Sequence, residues 1–133
     1  MSAYQEVTTL ITDGSHLLTA LKEMGFDPKA YETPMPLMGY EGAERPERAH
    51  IVIPRNQVGG ASNDIGFVKE VDGKYRAIIS EFDKRRYNQT WLGKLTASYA
   101  EIRAMSIAKS KGYTFLGKQV VDGRVKLQFQ VRS

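Results

Sequence analysis

The chain has 133 residues, a formal net charge of +4 and no cysteine. This length suits a single domain over residues 1–133, large enough to fold without covalent cross-links. The lack of cysteine excludes disulfide scaffolds, thiol nucleophiles and thiolate-bound metal clusters, and two histidines, His16 and His50, are too few for a histidine-rich metal site.

The first two elements are a strand and an amphipathic helix. Alternation over residues 4–11 predicts the strand, and a stripe of leucines and a methionine predicts a helix over residues 14–24. Asp13 is the expected N-cap, because its carboxylate can accept free backbone N–H groups. Gly25 is the expected C-terminal glycine of this helix.

The next stretch contains three prolines and reads as irregular. It leaves room for a short strand at residues 35–42, and the alternating charges of residues 41–49 predict a solvated connector. A β-branched run predicts a strand at residues 50–54. Residues 57–63 then predict a flexible loop, and residues 64–71 return to strand.

A hairpin and a long helix follow. The Asp72-Gly73 turn leads into a returning strand at residues 75–82. After a charged bend, Asn88 is the expected N-cap of a helix that runs from residue 89 to about residue 111. Gly112 ends this helix.

Residues 113–121 and 124–132 predict a final hairpin around Asp122-Gly123. In its second strand Val125, Leu127 and Phe129 alternate with polar residues, which predicts one buried and one polar face. Together the elements predict an α+β fold: a largely antiparallel sheet of about five to seven strands with two helices packed on one face.

The richest candidate site is a basic segment before the long helix, made of Lys84, Arg85, Arg86, Tyr87 and Asn88. Guanidinium groups bind phosphate in pairs of hydrogen bonds, and aromatic rings stack on bases. The position before a helix N-terminus also favours anions. The segment therefore predicts a nucleic-acid or nucleotide site, with a solvated surface held by ion pairs as the competing interpretation.

Two further acidic residues, Asp64 and Glu81, form a second candidate polar site. Asp64 stands at a strand start, where hydrogen bonds to nearby backbone amides are the more common role. Gly66, within the strand that follows, predicts a close approach by a ligand or by the long helix. The Gly59-Gly60 loop lacks a phosphate-loop pattern and predicts a mobile loop.

Charge is divided unevenly along the chain. Residues 1–66 hold five Lys or Arg and nine Asp or Glu, whereas residues 67–133 hold fourteen and six, giving −4 and +8. A basic half attracts nucleic acid, nucleotides or an acidic partner, unless the two halves interleave in space. No apolar run approaches the ~20 residues of a membrane span. The start of the chain lacks a secretory signal, so we expect a cytoplasmic protein with no membrane association.

No histidine, serine or carboxylate has a recognisable catalytic spacing, so the sequence predicts a protein that is not an enzyme and holds no metal or cofactor. A cryptic enzyme is a third hypothesis, and it requires that Asp64, Glu81 or His50 cluster in a pocket. The sequence also allows a homo-oligomer through an edge position of residues 124–132.

Several short segments resemble the conserved hypothetical chloroplast reading-frame family of algal plastids and cyanobacteria, whose bacterial and bacteriophage relatives share one domain of unknown function. The most distinctive is Asp64-Ile65-Gly66-Phe67, together with the helix around Tyr99-Ala100. The other matching segments are residues 17–25, 38–40, 50–53 and 111–114. The basic segment at residues 82–91 looks most like the bacteriophage branch.

The resemblance implies a small single-domain protein and supplies no catalytic residues. Bacterial members of the family are associated with ring-forming ATPases, so the resemblance implies a protein partner of that kind. The first hypothesis is therefore a non-enzymatic binding or adaptor protein that acts through a protein partner. The alternative is a nucleic-acid or nucleotide-binding protein that uses residues 84–87.

Overall fold

A computed structural model of the protein describes residues 3–131. Its strands are β1 (Tyr4–Thr8), β2 (Lys29–Met38), β3 (Glu44–Ile53), β4 (Ile65–Lys69), β5 (Tyr75–Ser80), β6 (Thr114–Val121) and β7 (Arg124–Gln130). Its helices are α1 (Gly14–Glu23), the four-residue α2 (Arg55–Val58) and α3 (Gln89–Ser110), with short 3₁₀ turns at Tyr40–Gly42 and Asp83–Arg85. The predicted α+β class with an antiparallel sheet is confirmed.

Five strands form the main sheet in the order β1-β5-β4-β3-β2, with every neighbouring pair antiparallel. The two long helices, α1 and α3, pack on one face of this sheet. Ile53, Ile65 and Phe67 from the sheet are fully buried against Leu21 of α1 and Leu95 of α3. Strands from both halves of the sequence share this sheet, so their opposite charges interleave in the main body.

The predicted helix caps are confirmed, and each depends on interactions within a few residues of the helix end. The Asp13 carboxylate accepts a hydrogen bond from the backbone N–H of His16 at 3.0 Å. The Asn88 side chain accepts one from the backbone N–H of Trp91 at 3.1 Å. Gly25 adopts the positive φ of +96° expected of a residue that ends a helix.

The prediction of a solvated connector at residues 41–49 is wrong, and the short strand expected at residues 35–42 is misplaced. Most of the connector belongs to β3, and β2 occupies ten residues, Lys29–Met38. Two prolines are tolerated in β2 because it is an edge strand with irregular register. The charges of β3 alternate between half-buried and exposed positions, and Arg45 approaches Glu47 at 3.7 Å.

The close approach predicted at Gly66 comes from neither a ligand nor the long helix. The β2–β3 hairpin brings Leu37 and Ala49 over the sheet face opposite the helices. A Cβ atom at Gly66 would lie 2.7 Å from the Ala49 Cβ and 2.9 Å from a Leu37 methyl group. Glycine is therefore required at this position for packing.

The final hairpin differs from its prediction. Strands β6 and β7 form their own two-stranded sheet rather than joining the main one. The predicted buried face is wrong, because Val125 is exposed and Leu127 and Phe129 are only half-buried. Residue 132, the end of the predicted strand, lies outside the described residues.

Candidate functional site

A buried polar cluster joins the start of β4 to the end of β5. The Asp83 carboxylate accepts hydrogen bonds from the Ser80 hydroxyl at 2.7 Å and from the Asn63 backbone N–H at 3.0 Å. The Asn63 side-chain amide donates to the Ser80 hydroxyl oxygen at 3.0 Å. All three residues are buried. The cluster fixes the backbone immediately before Asp64.

Asp64 is buried and holds three segments together. Its two carboxylate oxygens accept from the backbone N–H groups of Met38 at 2.8 Å and Arg55 at 2.7 Å. Its backbone carbonyl accepts from the Tyr4 hydroxyl at 2.8 Å. Burial raises the pKa of the Asp64 carboxyl, although the two backbone donors and the Arg55 charge act in the opposite direction.

Above Asp64 lies an open groove with a volume of about 650 Å³. It runs between β2, β3 and the segment that follows β3, and we call it the groove. Its wall carries two basic side chains, one aromatic ring, apolar surface, one carboxylate and two loop glycines. These are Lys29, Arg55, Tyr31, Met38, Val52, Pro54, Asp64, Gly59 and Gly60.

The structure separates the side chains of the predicted basic segment. The Lys84 ammonium donates to the Gln5 side chain on β1. The Arg85 guanidinium lies over the Phe82 ring at 6.0 Å. The Arg86 guanidinium lies 5.9 Å from the Tyr87 ring and extends toward the loop glycines, with Nη1 3.9 Å from where a Cβ of Gly59 would be.

Tyr87 and Asn88 have defined structural roles. The Tyr87 hydroxyl is buried and donates to the Val58 carbonyl at 2.9 Å, which joins this segment to α2 beside the groove. Asn88 caps α3 and donates to the Arg85 carbonyl at 3.2 Å. Of the predicted residues, Arg86 and Tyr87 come close to the loop that borders the groove, Arg86 beside Gly59 and Tyr87 through its bond to Val58.

The residues that a cryptic enzyme would need are kept apart. Glu81 is exposed and accepts from the Gln5 side chain at 2.9 Å. His50 accepts from the Lys69 backbone N–H at 3.1 Å through Nδ1 and borders a different cleft from the groove. Within the described residues, no three histidine or acidic side chains gather where they could hold a metal ion.

A second surface feature is formed by residues 101–131, the second half of α3 with β6 and β7, which we call the arm. Within the arm, an ion pair between Lys118 of β6 and Glu101 of α3 joins the hairpin to the helix at 3.1 Å. Met105, Phe115 and Phe129 border an apolar hollow of about 390 Å³ between helix and hairpin. The arm also exposes large apolar side chains: Ile107, Phe115, Leu116, Val120, Val121, Val125 and Val131.

The groove and Tyr31 were missed by sequence reasoning. Lys29, Arg55 and Gly60 stand in three separate segments, so no local spacing joins them. The groove also depends on the buried Asn63-Asp64 pair, whose side-chain oxygens accept hydrogen bonds from the backbone N–H groups of Tyr40 and Met38. Such long-range bonding is visible only once the strands are paired.

The chain folds as an α+β protein whose surface carries the groove and the arm. The family described as "Protein of unknown function (DUF1257)" matches residues 20–128, and the chain belongs to this family. The predicted resemblance to a family with a domain of unknown function is thereby confirmed. No curated protein and no solved structure matches the chain. Across residues 3–131, no helix has the length and apolar character needed to cross a membrane.

Proposed function

We propose that this protein is a non-enzymatic binding or adaptor protein of the cytoplasm that docks onto a protein partner through the arm. The carrying observation is the exposure of the β6–β7 hairpin, on which Leu116 is 61% and Val120 67% exposed. An isolated two-stranded hairpin is marginally stable in water, and exposed apolar side chains on such a hairpin favour burial against a partner. Both outer edges of the hairpin are also unpaired within the described residues.

The charge of the arm indicates the chemistry of the partner. Residues 101–131 contain six Lys or Arg and two Asp or Glu, a net charge of +4. Two copies of the arm facing each other would therefore repel, which disfavours a homo-oligomer through this surface. A partner with an acidic rim around an apolar patch complements the basic and apolar surface of the arm. A ring-forming ATPase is the partner class that the family resemblance favours.

Nucleic-acid binding through residues 84–87 is the second candidate function. We place it second because the side chains of Lys84, Arg85 and Arg86 point to three different neighbours rather than to one surface. The same basic segment is the reason for proposing that the protein belongs to the bacteriophage branch of its family.

The test uses a pair of cross-strand neighbours, Val120 and Val125, which face each other in the β6–β7 register. Val120→Thr/Val125→Thr keeps the β-branched shape but makes the patch polar. Val71→Thr is the matched control, because Val71 is fully exposed in the turn between β4 and β5. Each tagged variant is recovered from its own cells, and co-purifying proteins are quantified by mass spectrometry.

We expect at least one protein to be lost with the double variant and retained with Val71→Thr. The purified partner should then bind the wild-type chain directly, and the binding should weaken as salt is raised. The proposal is overturned if no purified protein binds in a manner that depends on Val120 and Val125. A dimer in sedimentation that the double variant abolishes would identify a second copy as the occupant instead.

A further inference from the structure

The groove has an excess of positive charge at its walls. Lys29 and Arg55 line it, and within residues 3–131 neither forms an ion pair. Asp64 is the acidic side chain of the groove wall in this part of the chain, and both of its oxygens are already engaged by backbone N–H groups. Arg86 adds a third cation beside Gly59. This arrangement attracts an anion to the end of the groove near α2.

The groove also carries apolar and aromatic surface beside these cations, because Lys29 stands opposite Val52 in the β2–β3 register and Met38 shares the Asp64 carboxylate with Arg55. Tyr31 is 40% exposed, and Met38 and Val52 form apolar surface beside it. Such surface accepts a flat ring by stacking and apolar contact. The volume of about 650 Å³ falls in the range of small-molecule sites. A ligand that satisfies both kinds of surface has an anionic group joined to a planar ring.

Gly60 marks the point where such a ligand can approach the backbone. A Cβ atom at Gly60 would meet no atom within 4 Å, so the space beside it is open. The backbone N–H of Gly60 makes no hydrogen bond to any described residue, which leaves it available to an anionic oxygen.

We infer that the groove is a binding site for a mononucleotide. Arg55, Arg86 and the Gly60 backbone N–H hold the phosphate, Lys29 supplies additional positive charge, and Tyr31 with Met38 receives the base. This site is independent of the arm, and its occupation requires no protein partner.

Calorimetric titration of the full chain with adenosine monophosphate, adenosine and inorganic phosphate tests the site. The variants are Arg55→Gln, which keeps the backbone N–H bonded to Asp64, and Gly60→Leu, which fills the open space. Lys126→Gln, on the exposed β7, is the matched control. Melting curves for each variant verify that it is folded.

We expect the nucleotide to bind more tightly than adenosine or phosphate alone, because it uses both the cations and the apolar and aromatic surface of the groove. Arg55→Gln should weaken nucleotide binding about tenfold, the typical effect of losing one charged hydrogen bond. Gly60→Leu should abolish binding and Lys126→Gln should leave it unchanged. The arm variant Val120→Thr/Val125→Thr should bind nucleotide normally, which separates this test from that of the proposed function.

The inference is overturned if adenosine monophosphate does not bind the folded wild-type chain. It is equally overturned if Arg55→Gln and Lys126→Gln weaken binding to the same extent. A single-stranded oligonucleotide that binds far more tightly than the mononucleotide, with a dependence on Lys84 and Arg85, would assign the activity to the basic segment as a nucleic-acid surface.

Discussion

The Tyr99 hydroxyl of α3 accepts a hydrogen bond from the backbone N–H of Asp13, the N-cap of α1, at 3.0 Å. It accepts a second from the backbone N–H of Thr12 at 3.1 Å. Burial raises the pKa of Tyr99, but hydrogen bonds from the Thr12 side chain and from these two backbone N–H groups, together with the Arg103 charge, outweigh it and hold the pKa below its usual value of 10.0. One phenol oxygen thus connects the two long helices at the point where α1 begins.

Replacing this oxygen should destabilise the fold. Tyr99→Phe leaves two backbone donors without their acceptor, and we expect a loss of about 1–3 kcal/mol in the free energy of unfolding. Tyr113→Phe is the control, because the Tyr113 hydroxyl makes no hydrogen bond to a described residue. Urea denaturation of both variants measures the difference. Equal losses in the two would show that the Tyr99 hydrogen bonds contribute no net stability.

Signals that act within a few residues were predictable. Asp13 and Asn88 cap helices with their own side chains, and Gly25 ends a helix through its own backbone conformation. The ends of both long helices were therefore placed correctly. The N-terminal part of β3 was missed because a strand is held by backbone pairing with its neighbours. Its charged side chains are exposed or half-buried, so its sequence has the charge pattern of a solvated loop.

The candidate site was less predictable than the fold. Its walls come from β2, β3 and the loop around Gly60, which meet only after the strands pair. The basic segment looked compact in the sequence, yet Lys84, Arg85 and Arg86 diverge. The short 3₁₀ turn at Asp83–Arg85 gives successive residues different directions.

Two glycines predict opposite responses to the same substitution. Gly66→Ala would force a methyl group to within 2.7 Å of the Ala49 Cβ, so we expect a loss of about 1–3 kcal/mol in stability. Gly93 is exposed inside α3, and a Cβ there meets no atom within 4 Å. Gly93→Ala should therefore raise stability by about 0.5–1 kcal/mol through better helix propensity. Thermal unfolding of the two variants and the wild type measures both changes in stability. A stabilised Gly66→Ala variant would contradict the close packing.

Asp64 predicts a pH dependence of defined sign. Burial raises its pKa above the ordinary 3.8, so the folded chain binds this proton more tightly than the unfolded chain does. Its contribution to stability is therefore complete below pH 3.8 and falls as the pH rises through the folded pKa. The stability of wild type minus that of Asp64→Asn should decrease with rising pH across this acidic range. An increase would show that the backbone donors of Met38 and Arg55 outweigh burial.

The β6–β7 hairpin of the arm should open independently of the main sheet. Strands β6 and β7 bury little surface, whereas β3, β4 and β5 form the centre of the sheet. Amide hydrogen exchange in the hairpin should therefore proceed through local opening at a free energy well below that of global unfolding.

The ion pair between Lys118 and Glu101 gives this expectation a specific control, because it fixes β6 to α3 at 3.1 Å. Lys118→Gln should speed exchange in the hairpin, while Lys126→Gln, which removes an equal charge without breaking an ion pair in the described chain, should not. Neither change should alter exchange in β4 by more than about 0.5 kcal/mol. If hairpin and main sheet instead exchange together in every variant, the arm is part of the cooperative core, and its exposed apolar face would need an explanation other than a binding partner.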